Sequence, residues 1–295
     1  MKPPPFEYLA PTSLEEALQQ LEAGGFDARP LAGGQSLIPM LNFRLARPSL
    51  LVDLNRVEKL SFLRSTEDGG LKIGAMTRQR EVERSPDVRR AAPLLAEALQ
   101  HVAHPQIRNR GTLGGSLAHA DPAAELPAVM LALEARLRVG GVGGERWIPA
   151  GEFFFGPFMA ALEPGEILLE IEVPAWHARD GSAFEEVARR RGDYALLGVA
   201  AHVRLDPEGV CERAALGYVN GAPTPNLATG ASEILVGSEP TPARIAEASR
   251  VAAADDCAPP SDIHASAAYR RRLVEVLTGR ALKRAFARAA EANEP

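Results

Sequence analysis

Cysteine is almost missing from this chain: Cys211 and Cys257 are the only two in 295 residues, and no short spacing joins them. A thiolate zinc site or an iron–sulfur cluster needs more ligands than that, so neither can be built from this chain alone. The shortage also fits a reducing compartment. There is no basic excess. The formal net charge is −5, which argues against a nucleic-acid surface. The runs Arg189-Arg190-Arg191 and Arg270-Arg271-Arg272 are balanced elsewhere by acidic residues and read as solvated faces. No stretch approaches the roughly 18 apolar residues of a membrane span. The start, Met1-Lys2-Pro3-Pro4-Pro5, lacks the apolar centre of a signal peptide. The expectation is a cytoplasmic chain with no membrane span and no nucleic-acid partner.

What remains is ordinary for a globular protein: 46% hydrophobic and 24% charged residues, in a length that gives two domains a substantial core. Neither internal repeats nor low-complexity tracts interrupt it.

The most informative features are two glycine pairs, Ala32-Gly33-Gly34-Gln35-Ser36 and Thr112-Leu113-Gly114-Gly115-Ser116. Without a Cβ, consecutive amides can converge on one point and a ligand can approach closely. Such nests bind anions, phosphate above all. Two of them predict a ligand with an extended diphosphate, gripped from two sides. The first pair, taken alone, reads better as a tight turn between a strand and a helix than as a cradle. The second lies in Arg110–Pro127, where three glycines, Thr112, Ser116, His119, Asp121 and Glu125 make a polar loop between apolar helices. A loop this polar needs partners for its backbone and side chains.

Local patterns place these loops. Ser13 and Glu16 make a capping box for a helix whose Leu14, Ala17, Leu18 and Leu21 fall on one face, closed by Gly24-Gly25. Strands are expected at 29–32 and 50–54, giving with the intervening helix a small βαβ unit. A strand at 71–75, a helix over 88–102 and an irregular, proline-broken 104–110 follow. Then come a helix over 123–133 and strands near 135–139, 145–148 and 167–173. Pro174 and the polar 177–182 stretch mark a domain boundary. Beyond it, strands are expected at 194–205 and 214–219, a loop at 221–230, and helices at 241–254 and 265–290. Asp121 is expected to cap the helix from Ala123. His119 reads equally as a hydrogen-bonding partner of the ligand and as a satisfied structural residue, Trp147 and Trp176 read as structural, and Phe153-Phe154-Phe155 as buried packing rather than a partner surface.

Four blocks occur in this order and spacing: Ala32–Ser36, His104–Arg110, Thr112–Pro127 and Arg190-Arg191-Gly192-Asp193-Tyr194-Ala195. Together they resemble the FAD-binding medium subunit of molybdenum hydroxylases, the carbon monoxide dehydrogenase and xanthine dehydrogenase family, over essentially the whole chain. The resemblance implies an α+β fold with a two-lobed FAD-binding domain of the vanillyl-alcohol-oxidase (PCMH) type and a C-terminal α+β domain. The lobes would span 1–57 and 58–176, and the last domain 177–295.

It further implies FAD held non-covalently, with Leu31, Ala32, Gly33, Gly34, Gln35, Ser36 and Leu37 on one side of the diphosphate and Thr112, Leu113, Gly114, Gly115 and Ser116 on the other. Val102 and Leu168 would line the flavin and adenine pocket, Glu125 would bind ribose hydroxyls or the flavin's polar edge, and Tyr194 would stack near the isoalloxazine. No catalytic residue and no metal ligand are expected of this chain. The molybdenum cofactor and 2Fe-2S clusters would sit in a large molybdopterin-binding and a small 2Fe-2S partner subunit, in a dimer of heterotrimers, and electrons would leave through FAD to an external acceptor. Two departures from the family pattern stand out: Glu125 replaces the usual Asp, and Phe184 is followed by Glu185-Glu186 where many members carry a Lys. Two rival readings stay open: a stand-alone flavin-dependent oxidase or dehydrogenase, and a nucleotide-binding module without a redox role.

Overall fold

The computed structural model describes residues 2–291. Near the N-terminus three short strands form a parallel sheet in the order Glu7–Leu9, Leu50–Asp53, Ala28–Leu31. The helix Leu14–Gly24 starts as its sequence dictates, with Ser13 Oγ accepting the Glu16 amide at 3.2 Å. The Glu16 carboxylate reaches back to the amide of Thr12, also at 3.2 Å, one residue before the cap itself. Gly25 stops the helix at φ +53, a conformation that costs glycine little. Ala17 and Leu21 carry this helix onto Val52 and Leu54, a first hydrophobic cluster that also holds Ile167 and Leu169.

A five-stranded antiparallel sheet follows, ordered Leu63–Ser65, Leu71–Gly74, Ile167–Val173, Arg136–Gly141, Gly144–Pro149. Ile167–Val173 is its centre and is buried on both faces. Ile167 and Leu169 meet the first cluster, whereas Leu168, Ile171 and Val173 meet a second and larger one. A register shift between Leu168 and Glu170 accompanies this change of side.

The helix expected over 88–102 is two helices, Pro86–Ala91 and Pro93–Ala98. Pro93 has no amide to continue the first helix and forces the residue before it out of the helical region; Ala92 sits at φ −151, ψ 61. Conversely, the stretch expected to be irregular contains the single-turn helix Pro105–Arg108, with Pro105 at its first position, where a missing amide costs nothing. Phe153 and Phe154 are buried as expected, but Phe155 is exposed. Trp147 lies under the guanidiniums of Arg136 and Arg138, and Trp176 stacks on His202.

The C-terminal part is a four-stranded antiparallel sheet, Asp180–Ala188, Ala195–Leu205, Cys211–Val219 and Asn226–Leu227. The helix Ala267–Glu291 crosses one face so closely that a Cβ on Gly181 would lie 2.6 Å from the Ala289 nitrogen. On the other face lies the wholly buried helix Glu125–Ala132. Phe184, Ala200 and Val219 join that helix in the second cluster, so one continuous core ties this sheet to the rest.

Candidate functional site

The first glycine block leaves the parallel sheet at Leu31 and enters the short helix Leu37–Asn42. Between them Gly34 takes φ +72, while Gly33 is buried against the backbone of Arg110 and Gly111. Among the described residues, no hydrogen bond takes up the amides of Gly33, Gly34, Gln35, Ser36 or Leu37. The carbonyls of the same loop are engaged: Gly33 accepts from the Gln35 side chain at 3.0 Å and Ala32 from Asn55 Nδ2 at 2.9 Å. A run of consecutive donors without acceptors, in a half-buried loop free of Cβ atoms at its centre, has the geometry that suits an anion.

The second block differs from its expectation. Thr112–Ser116 is not an open loop: Leu113–His119 is a helix with Thr112 as its cap. Its first four amides are all taken. Leu113 donates to the Thr77 carbonyl at 3.0 Å and Gly114 to Ala75 at 2.9 Å; Gly115 donates to Thr112 Oγ1 at 3.0 Å and Ser116 to the Thr112 carbonyl at 3.3 Å. The second amide nest is therefore not built. The glycines serve close packing instead: a Cβ on Gly114 would stand 2.7 Å from the Ala75 carbonyl oxygen, and one on Gly115 would stand 3.2 Å from Ala32 Cβ. What this block has left to offer a ligand is hydroxyl chemistry. Thr112 Oγ1 retains its proton to donate, and no partner engages the half-buried Ser116 hydroxyl among the described residues.

The two blocks nevertheless meet, Ala32 against Gly115 and Gly33 against Gly111. Sequence reasoning missed the tie between them. Arg78 donates to the Arg110 carbonyl and, at 2.5 Å, to Asn55 Oδ1, while Asn55 holds the Ala32 carbonyl. Nothing local in the sequence marks Asn55 or Arg78, because their partners lie 23 or more residues away.

Of the other expected residues, Leu113 and Leu168 are buried in the second cluster, and Val102 packs against its edge. Tyr194 ends the loop after Asp180–Ala188 with 65% of its surface open. Partial burial of its hydroxyl, then the charges of Asp121 and Glu125, raise the phenol's pKa. Asp121 accepts the Ala123 amide at 2.9 Å, capping a turn two residues before the helix begins at Glu125.

Glu125 is buried, and burial pushes its carboxyl up to about 7, with the Asp121 charge adding to the effect. Glu186 reaches about 8, through burial and then the charge of Glu125. Its Oε2 has no hydrogen-bond partner, and Oε1 lies 4.0 Å from His101 Nδ1. Two carboxyls that resist ionisation thus share one interior region. The replaced lysine was the sequence signal for Glu186; its burial beside Glu125 was not visible there.

Unpaired consecutive amides next to a block that carries free hydroxyls are what a protein that binds a phosphate-bearing cofactor presents. Residues 4–176 match the family described as FAD binding domain in molybdopterin dehydrogenase, and residues 182–285 match the CO dehydrogenase flavoprotein C-terminal domain. The chain is 45% identical, over 100% of its own length and 99% of the relative's, to the 6-hydroxypseudooxynicotine dehydrogenase complex subunit alpha of Paenarthrobacter nicotinovorans. It is 40% identical to the carbon monoxide dehydrogenase medium chain of Hydrogenophaga pseudoflava, over 98% of this chain and 100% of that one. A solved structure of carbon monoxide dehydrogenase from Hydrogenophaga pseudoflava, lacking the Mo-pyranopterin moiety of the molybdenum cofactor, superposes with a TM-score of 0.95 at 41% identity, over 98% of this chain and 99% of the other. The chain belongs to the FAD-binding medium subunits of the molybdenum hydroxylase family. It is the flavoprotein component of an oxidoreductase, with an FAD-binding domain followed by a C-terminal domain of mixed helix and sheet.

Proposed function

We propose that this chain carries electrons within a three-component enzyme. It would receive them from 2Fe-2S clusters in a small partner chain, fed in turn by a large molybdopterin-binding chain, and deliver them through FAD to an external acceptor. Bound FAD supplies the redox chemistry; the protein supplies binding, orientation and electrostatics.

The observation that carries this reading is the set of unpaired amides from Gly33 to Leu37 beside the Thr112 and Ser116 hydroxyls. The amides would face the diphosphate from one side and the hydroxyls from the other. Glu125 would receive or donate a hydrogen bond at a ribose or flavin edge according to its protonation, and Tyr194 would cover the ring. The attachment would be non-covalent: Cys211 and Cys257 are buried in the C-terminal cluster, with burial pushing their thiols up to about 11 and about 12. A thiol held protonated is a poor nucleophile for a flavin link.

The named relatives belong to enzymes for chemically unrelated substrates, carbon monoxide and 6-hydroxypseudooxynicotine. The substrate would accordingly be chosen by another chain. No helix among the described residues is long and apolar enough to cross a membrane, and a cytoplasmic assembly of two such heterotrimers completes the proposal. Affinity purification from the native source tests it. The expected result is a yellow complex with one FAD per copy of this chain, two further chains, iron and molybdenum. A chain recovered alone, whose flavin is reduced directly by a small organic substrate, would overturn it.

A further inference from the structure

Away from the cradle, a cavity of about 460 Å³ opens among Arg80, Glu83, Arg84, Arg89, Arg108 and Arg191. Its charge is one-sided: five guanidiniums face a single carboxylate. That carboxylate is already committed. Glu83 accepts Arg108 Nε at 2.9 Å and Arg108 NH2 at 3.2 Å, and also Arg80 NH1 at 2.8 Å. Arg108 is buried at the floor and spends its remaining nitrogen on the Val102 carbonyl at 2.6 Å. Glu83 is held below the ordinary carboxylate range: its arginine partners outweigh the opposing effect of burial, so it stays charged and paired. Arg84, Arg89 and Arg191 have no carboxylate partner among the described residues. Asp87, the nearest acid in sequence, pairs with Arg90 instead, at 2.8 Å.

Concentrating like charge in a concave site repels it mutually and focuses the field on an incoming anion. We infer that this cavity binds a polyphosphate group, free or as the phosphate end of a nucleotide, through Arg84, Arg89 and Arg191, with the Arg108–Glu83 pair as its fixed floor. Planar guanidinium forks match phosphate oxygens in pairs. The volume falls in the range of small-molecule sites, and no aromatic ring lines it, so no base is stacked there and recognition rests on the phosphates. Gln100 on the wall adds a neutral donor. None of the residues lining this cavity belongs to the Gly33–Leu37 loop, so the two are separate.

The test uses FAD-loaded protein, so that the cradle is filled. Isothermal titration with sodium tripolyphosphate and, separately, with ATP at low salt is expected to give saturable binding that weakens as salt rises. Equal affinities mean that the phosphates alone are read; tighter ATP means a nucleotide ligand, and either supports the site. The double variant Arg84→Ala/Arg89→Ala, both on exposed helix ends, is expected to weaken binding by about tenfold or more, with FAD occupancy and melting temperature unchanged. The Lys pair at the same positions should recover part of it. No binding of either probe, or wild-type affinity in the alanine double variant, would overturn the inference. So would arginines that stay open to phenylglyoxal under tripolyphosphate yet become protected when partner chains assemble, which would make this face a protein interface.

Discussion

Gly33 lies directly on Gly111: a Cβ at position 33 would stand 2.7 Å from the Gly111 Cα and nearer still to the Arg110 carbonyl oxygen. At this point the two glycine blocks meet backbone to backbone. Gly33→Ala should push the cradle off the second block. Backbone on both sides must move, at about 1–3 kcal/mol of stability, and FAD affinity should fall by more than that loss alone explains. Flavin occupancy after gel filtration, with the melting temperature of the flavin-free chain, checks it. Full occupancy in the alanine variant would show that the diphosphate rests elsewhere.

Thr112 separates the two parts played by its block. Its hydroxyl oxygen caps the Gly115 amide, and the residue is buried. Thr112→Ser keeps the cap and the donor, so stability and FAD affinity should remain near wild type. Thr112→Val removes both and should cost about 1 kcal/mol for the lost cap. Its FAD dissociation constant should rise by about tenfold, the loss of one hydrogen bond to a charged group. Fluorescence titration of the flavin reads the difference. A valine variant with reduced stability and unchanged affinity would confine this block to a structural role.

The contrast between these blocks shows what the sequence could say. Ser13 and Gly25 act through their own neighbours, so the cap and the stop of the first helix were legible one residue at a time, whereas Pro105 reads as a break and in fact opens a helix. Both glycine pairs were legible as places where a Cβ is forbidden, but not what forbids it. At Gly34 the cause is a positive φ within the loop; at Gly114 it is the carbonyl of Ala75, 39 positions earlier. A glycine reads the same in either case, which is why the second nest was expected and a packed helix was found. Pro93 is visible in the sequence, but the Ala/Leu pattern around it continues through the break and hides it. The Asn55–Arg78–Arg110 tie and the Glu125–Glu186 pair join distant segments of chain, and single-sequence periodicity carries no trace of such pairings.

Asp180 anchors the start of the C-terminal sheet. It accepts Arg204 Nε at 2.6 Å and the His177 amide at 2.8 Å, with His202 Nε2 at 3.4 Å and Trp176 stacked on that imidazole. Although burial opposes it, these partners hold the carboxyl well below the ordinary aspartate range. A carboxyl with a depressed folded pKa stabilises the protein above its unfolded value, and that stabilisation is lost as the pH falls. Asp180→Asn should therefore cost about 3 kcal/mol at neutral pH by leaving Arg204 without its charge partner, and the difference from wild type should shrink towards pH 3. FAD affinity should not change, since no cradle group contacts this cluster. Urea melts across that pH range, paired with flavin titration, check both statements; a variant that loses flavin without losing stability would contradict them.

Glu125 and Glu186 predict the opposite slope. Their folded pKa values, about 7 and about 8, lie above the ordinary carboxylate value of 4.5. Stabilisation from such groups is complete below that value and is lost as the pH rises through 7 and 8, when two charges must coexist in one buried region. The flavin-free chain should thus lose stability between about pH 5 and 8. Glu186→Gln removes the less acidic member, whose carboxyl is raised by burial and then by the charge of Glu125, and keeps a hydrogen-bonding side chain of the same shape. At pH 8.5 it should gain about 2 kcal/mol, or roughly 4–8 °C in melting temperature, with little change at pH 5. Glu125→Gln should give a gain of the same sign. The double variant should gain less than the sum, because the two charges no longer oppose each other once either is removed. If melting temperatures of wild type and Glu186→Gln run parallel from pH 5 to 9, the two carboxyls do not share the interior as the structure has them.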